Sequence, residues 1–500
     1  MHEGDRSLSE LLGANVDVLD QVAESLSGDA RRMQDIRTVA QRAVYELQSC
    51  WNGPDQTNLT QQWECQCSPQ LAAASALLDG CVGQLRAQSA AQREASGRGV
   101  GAGTATAALT VTATWTLPAP PPMRASPADS ATWWRSMNRQ QQHGVIHDHP
   151  DWIGNRDGVA FWARDQANRA MIDVSRGRLT GQQRKLELDL ADNWFGGMFT
   201  NDDAALGHVA EKLAALAAID RTLRKSGDRQ LLLLDMSAQR AQAAVARGNV
   251  DTADNVAVFV PGMSANVTNG LTVYDDTMGQ LQHRAELEGK RVNPTHGATV
   301  AVVTWIGYQA PQLGWELIGD NSVADDQAAR TGATRLVPFL QGIGAARDHD
   351  AHLTLLGHSY GSTLAGLALQ ENTGVDDVVF FGSPGIGTSH LQDLKLDDGH
   401  AYYIEARRDA VGDLGYFGID PSHLAGIEHA SAQESTVVDP VTGEVRHFNE
   451  VVGHSSYLVD DSTSQYNLSV MVAGEPDRRV ADEGEGVGDL LSRPLRGPQR

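Results

Sequence analysis

The sequence predicts an α/β protein, a mostly parallel sheet flanked by helices, preceded by an all-α helical hairpin. Three observations predict it. Between Leu231 and Glu405 short apolar runs alternate with helical stretches, the spacing of strand–helix–strand units. One run leads into Gly357-His358-Ser359-Tyr360-Gly361, a Gly-x-Ser-x-Gly pattern that belongs at a sharp turn from strand to helix. The first 95 residues instead carry long seams of apolar positions at three- and four-residue steps.

The first seam, Leu19, Val22, Leu26, Met33, Ile36, Ala40, Ala43 and Leu47, is broken once, at Asp29, and the second is Leu71, Ala74, Leu78, Cys81 and Leu85. Trp51-Asn52-Gly53-Pro54-Asp55 lies between them, where Gly-Pro ends one helix and opens the next. This assigns residues 1–95 to a helical hairpin. Residues 96–128 are rich in Gly, Ala, Thr and Pro and read as an extended linker, so a domain boundary falls there. Residues 129–472 then form the α/β domain with a helical lead-in from Trp133-Trp134, including a helix over 203–225. Leu231–Leu234 and Ala243–Val245 read as a β-hairpin, with a helix as the alternative for the Ala-rich second run. Val256–Val260, Val300–Trp305, Leu353–Leu356, Val378–Phe381 and Tyr402–Glu405 read as strands, with helices over 265–287 and 325–345. From 473 to 500 the chain is charged and Gly-rich and reads as a disordered tail.

Composition narrows the function. The 500 residues leave room for about three segments of the usual domain size. With 40 Lys+Arg against 63 Asp+Glu the net charge is -23, which repels phosphate backbones and anionic headgroups. A nucleic-acid partner is therefore not expected. No run of about 18 apolar residues predicts a transmembrane span, and Met1-His2-Glu3-Gly4-Asp5 does not open a secretory signal peptide. Cys50, Cys65, Cys67 and Cys81 have no His at finger spacing, so they read as small core hydrophobes rather than zinc ligands, and disulfides between them would fit an exported chain. No metal and no cofactor is expected.

The chemistry starts at Ser359. Glycines beside it let a strained turn lift its hydroxyl above the sheet. A serine hydroxyl needs a base to take its proton, and the base needs an acid to fix its tautomer. Asp409 is the first carboxylate off the strand Tyr402–Glu405 and is the expected acid, with Asp413 in reserve. His423, His429, His447 and His454 compete for the base, while His400 comes too early. His454, in Gly453-His454-Ser455-Ser456-Tyr457, is preferred and His447 is the alternative. The oxyanion requires two main-chain N–H groups. Tyr360 supplies one, and Met263 or Ser264 in Pro261-Gly262-Met263-Ser264 the other, with Met263 preferred. Trp305, Tyr308 and Tyr360 are candidates to line an apolar acyl pocket, with core packing as the alternative.

Two resemblances accompany these residues. The hairpin with Trp-x-Gly at its turn resembles the Trp-x-Gly proteins exported by type VII secretion systems. It departs from them at Pro69, which should kink or delay the second helix, and in lacking a Tyr-x-x-x-Asp/Glu signal after it; those spacings occur at Tyr416–Asp420 and Tyr457–Asp461. From Trp133 to Leu458 the chain resembles a family of actinobacterial α/β-hydrolases long known as a domain of unknown function. The match runs through Trp133-Trp134, Gly154–Gly158, Arg164-Asp165, Ala167-Asn168, Asp251–Asn255, Trp305–Tyr308, Gly357–Ser362, Phe381–Gly385, Asp409 and Gly453–Ser455. That resemblance implies the α/β-hydrolase fold, a Ser-Asp-His hydrolase and a helical N-terminal extension, but no substrate.

The expected function is hydrolysis of a carboxylic ester, before an amide or thioester, through an acyl-enzyme on a small-molecule or lipid substrate. The rival expectation is an export substrate or partner-binding protein whose hydrolase fold is a scaffold, with residues 1–95 meeting a helical partner or the secretion machinery. A third combines them as an exported lipase-type toxin. The compartment is accordingly either the cytoplasm or the outside of the cell.

Overall fold

The apolar runs Leu231–Leu234, Val256–Val260, Val300–Trp305, Leu353–Leu356 and Val378–Phe381 are strands buried on both faces. The strands are β1 (Arg229–Asp235), β2 (Gln242–Arg247), β3 (Asn255–Val260), β4 (Val300–Ile306), β5 (His352–His358), β6 (Asp377–Phe381), β7 (Ala401–Ile404) and β8 (Glu428–Ala430). They form one sheet in the order β1-β2-β4-β3-β5-β6-β7-β8. Pairing from β4 to β8 is parallel, and β1 and β2 add an antiparallel edge. This is the α/β-hydrolase fold. The computed structural model describes residues 117–482 except 123, 124, 192–201, 296, 313–325, 397–399, 410, 412–416, 418, 419 and 440, and scattered positions between 20 and 90.

The helices of the sheet domain are α1 (Pro127–Ser136), α2 (Arg139–Asp148), α3 (Pro150–Ile153), α4 (Phe161–Ala191), α5 (Asp202–Leu223), α6 (Val267–Val292), α7 (Gln327–Ala346), α8 (Tyr360–Ala368) and α9 (Thr463–Val472). Side chains alternate between the two faces of each strand. Val256, Val258, Leu353, Leu355, Val378 and Phe380 pack with Leu336 and Leu340 of α7 and Leu364 of α8. Ala257, Phe259, Leu356, Val379 and Phe381 face the other way, towards Met278 and Leu281 of α6 and Leu468 and Met471 of α9. Among the described residues no helix is long and apolar enough to cross a membrane.

The residues of the helical lead-in dress the free edge of the sheet. An edge strand presents unpaired main-chain groups. On β1, Asn155 Oδ1 accepts from Leu234 N (2.9 Å) and its Nδ2 donates to Leu234 O (2.8 Å). Asp165 accepts from Leu231 N (2.6 Å), Asn168 donates to Leu231 O (3.0 Å), and the buried Arg164 donates to Leu232 O (2.7 Å). Asp251 accepts from the N–H groups of Phe161 (2.7 Å) and Trp162 (2.8 Å), capping α4 from a distant loop. These motifs thus seat the lead-in on the sheet.

Three expectations change. Leu117–Pro122 packs with the lead-in rather than forming free linker: Trp133 Nε1 donates to Pro118 O (3.2 Å) and Arg156 Nη1 to Pro122 O (3.2 Å). The tail begins later than residue 473, because Ser431 N and Asn467 Nδ2 both donate to Val480 O and Arg478 reaches Glu288. A β-hairpin of β9 (Ser435–Val438) and β10 (Val445–Phe448) and the helix α9 fill a stretch in which no elements were expected.

The chain divides into units Met1–Ala113 and Thr114–Arg500. In the first unit the described positions are helical. There Gln34 Nε2 donates to Ser75 Oγ (3.1 Å), Arg37 Nε to Ser68 Oγ (2.8 Å) and Ser75 Oγ to Ala30 O (3.2 Å). The turn at Trp51–Asp55, Pro69 and the four cysteines lie outside the described residues.

Candidate active site

The site lies at the carboxyl ends of β3, β5, β6 and β7, where parallel sheets gather functional loops. Val260 at the end of β3 pairs with Gly357 on β5, so the Pro261–Ser264 loop and the Ser359 turn are neighbours. Ser359 sits between β5 and α8 with φ 55° and ψ -132°, a conformation disfavoured for any residue with a Cβ. Tyr360 is the first residue of α8. Ser362 Oγ lies 2.5 Å from both the Ser359 carbonyl oxygen and Ser383 Oγ, which fastens the turn to the loop after β6.

From Ser359 a continuous chain of hydrogen bonds runs inward. Its Oγ lies 2.8 Å from His454 Nε2. His454 Nδ1 lies 2.9 and 3.0 Å from the two oxygens of Asp409. Asp409 is buried, and it also accepts from Tyr457 OH (2.5 Å) and from Val411 N (3.0 Å). Burial pushes this carboxyl up, but the bonds from His454 and Tyr457 outweigh it and hold it below its ordinary value. Tyr457 in turn accepts from Ala406 N (2.9 Å). Burial, with the carboxylate beside it, drives the phenol upward, so it remains a donor.

Two glycines leave room for this arrangement. A Cβ on Gly262 would stand 2.6 Å from Ser359 Cβ and 3.0 Å from its Oγ. Gly382, after β6, has φ 57°, and a Cβ there would stand 2.8 Å from Asp409 Oδ2 and 3.2 Å from His454 Nδ1. A side chain at Gly262 collides with Ser359, and one at Gly382 with Asp409 and His454.

The remaining candidates separate clearly. Ser264 N donates to Pro311 O (2.7 Å), which commits it away from Ser359 and leaves Met263 as the candidate donor of the pair. Tyr308 OH donates to Pro261 O (2.7 Å), pinning that loop from below. Trp305 and Tyr308 are 1% and 3% exposed and stack in the core, so neither lines an open pocket. Tyr360 is buried as well, its ring set edge-on to Phe417. His447 is on β10, bonded to Thr436; His423 faces Asp420; His429 meets Tyr403; His400 meets Asp377. Asp413 lies outside the described residues. Among the described residues no group of three His, Cys, Asp or Glu side chains is placed to hold a metal ion. Sequence reasoning missed Tyr457, Gly382 and His358, whose contacts come from distant residues.

Residues 236–419 match the family described as Alpha/beta hydrolase. An uncharacterized protein of Mycobacterium tuberculosis (strain H37Rv) is 34% identical over 242 residues, covering 47% of this chain and 88% of the relative. A second uncharacterized protein of the same organism is 29% identical over 392 residues, covering 74% of this chain and 57% of the relative. Among solved structures, a Pyrobaculum calidifontis esterase covers 59% of this chain and 97% of its own at 12% identity and a TM-score of 0.31.

Proposed function

The chain belongs to an actinobacterial α/β-hydrolase family, and from that premise we propose that it is a serine hydrolase cleaving carboxylic esters through an acyl-enzyme. The observation that carries the reading is the unbroken line Ser359 Oγ, His454 and Asp409, each contact between 2.8 and 3.0 Å. Ser359 attacks the ester carbonyl while His454 Nε2 takes its proton. Asp409, bonded to Nδ1, fixes the tautomer and stabilises the imidazolium. The N–H groups of Met263 and Tyr360 hold the oxyanion. His454 then returns the proton to the departing alcohol. Water, deprotonated by the same imidazole, releases the acid and regenerates Ser359. Each step uses a side chain or a main-chain N–H of this chain.

Labelling the purified protein with a fluorophosphonate, followed by peptide mapping, tests the reading. The label is expected on Ser359 and absent from Ser359→Ala. In His454→Ala, turnover of a p-nitrophenyl ester is expected to fall on the order of 10⁴-fold or more. A series from short to long acyl chains then separates esterase from lipase. A folded protein that takes no label overturns the proposal in favour of the scaffold reading.

A further inference from the structure

Two adjacent side chains run from the end of β5 to the loop that carries His454. Ser359 reaches the imidazole ring, and His358 reaches the main chain: its Nε2 lies 3.1 Å from the His454 carbonyl oxygen. A carbonyl can only accept, so His358 Nε2 carries the proton. The two imidazoles also stack, with centroids 5.1 Å apart and planes inclined by 29°. Phe381 and Tyr457 close in on His358 at 5.1 and 5.9 Å. Burial, with His454 beside it, lowers His358 to about 4, so it remains a neutral donor where imidazole bases operate.

The loop is tied elsewhere to the segment bearing the acid. Gly453 N donates to Arg407 O (2.9 Å), and Arg407 and Val452 form a parallel bridge. Those ties join the loop to the segment after β7, whereas the His358 bond joins it to β5. We propose, building on the esterase reading, that His358 is a positioning residue: its N–H to the His454 carbonyl sets the distance between the base and Ser359. The nucleophile and the group that gauges its base are consecutive residues of one strained turn. Any movement of that turn therefore carries both together. A neutral ring on the face of His454 also leaves the transient imidazolium unopposed by a second cation.

The test compares His358→Gln with His358→Met in the full chain. The two side chains have similar length and differ in the N–H donor. Both are measured for kcat and KM on p-nitrophenyl acetate and for Tm. Misplacing a reacting group by about 1 Å costs on the order of 10²-fold, so His358→Met is expected to lose roughly 10- to 100-fold in kcat with KM within about twofold. His358→Gln is expected to recover most of that loss at an equal Tm. Equal kcat in the two variants, or losses that follow Tm alone, overturn the proposal. If either fails to fold, His358→Asn against His358→Leu makes the same comparison at shorter length. A wild type that neither turns over ester nor takes the fluorophosphonate overturns the underlying reading, and this proposal with it, a result no variant can mimic.

Discussion

Asp409, the acid of the proposed triad, is held ionised in part by a residue outside that triad, Tyr457. Its carboxyl lies below the ordinary range in the folded protein despite burial, through bonds from His454 and Tyr457. A depressed folded value contributes stability that is complete above the unfolded value of about 3.9 and is lost as pH falls through the folded one. Tyr457→Phe removes one lowering bond and brings the folded value back up. The variant's Tm deficit is therefore expected to be full near neutrality and to narrow below about pH 3.9. A melting series of both proteins from about pH 7 to about pH 3 checks this; a deficit that widens in acid contradicts it. Its kcat is expected to fall on the order of 10-fold, since a hydrogen bond to a charged group is worth about 1.5–3 kcal/mol.

Among the elements, the β9–β10 hairpin packs Phe448 and Val437 against Tyr466 and Val470 of α9 and is tied to α6 by charge. Glu288 on α6 is fully buried and accepts from Arg446 of β10 at 2.5 and 3.0 Å and from Arg478 at 3.2 Å. Glu288→Gln leaves the largely buried Arg446 guanidinium without its counter-charge and leaves Arg478 with only the more distant Asp439, at 4.0 Å. A loss of about 3–5 kcal/mol is expected, read as a lower denaturant midpoint, because breaking one partner of a buried pair leaves the others uncompensated. An unchanged midpoint contradicts it. This region was also the least legible in sequence. β9 and β10 are half-exposed and carry no continuous apolar run, and β8 is three residues long. All ten residues of α9 are buried, so it has no polar face to produce a helical seam. The strands β3 to β7 were legible because both faces are apolar. At the site, local motif and chain order single out Ser359, Asp409 and His454 as candidates, and the structure brings the three within hydrogen-bonding distance. Local sequence does not separate Met263 from Ser264, because the acceptor of the Ser264 N–H, Pro311 O, lies 47 residues on. His358 and Tyr457 gain their roles from residues 96 and 48 positions away, which no local pattern encodes.

Taken whole, the chain divides at residue 113, and Leu117 onward packs with the sheet domain. Residues 114–500 alone are therefore expected to melt cooperatively and to take fluorophosphonate at the rate of the full chain. Loss of labelling in a folded fragment contradicts this. Expressing that fragment and the full chain in an actinobacterial host tests the proposed export role of the N-terminal helices, which equal release of both would remove.

The turn at Ser359 has one more implication. Its φ of 55° is a conformation that glycine adopts freely and serine does not. Backbone strain of this kind costs on the order of 1–3 kcal/mol. Replacing the serine by glycine would thus relieve the fold while removing the proposed nucleophile. On the proposed reading, selection for the chemistry holds the molecule short of its own stability optimum, and the residue proposed as nucleophile is a burden on the structure that presents it.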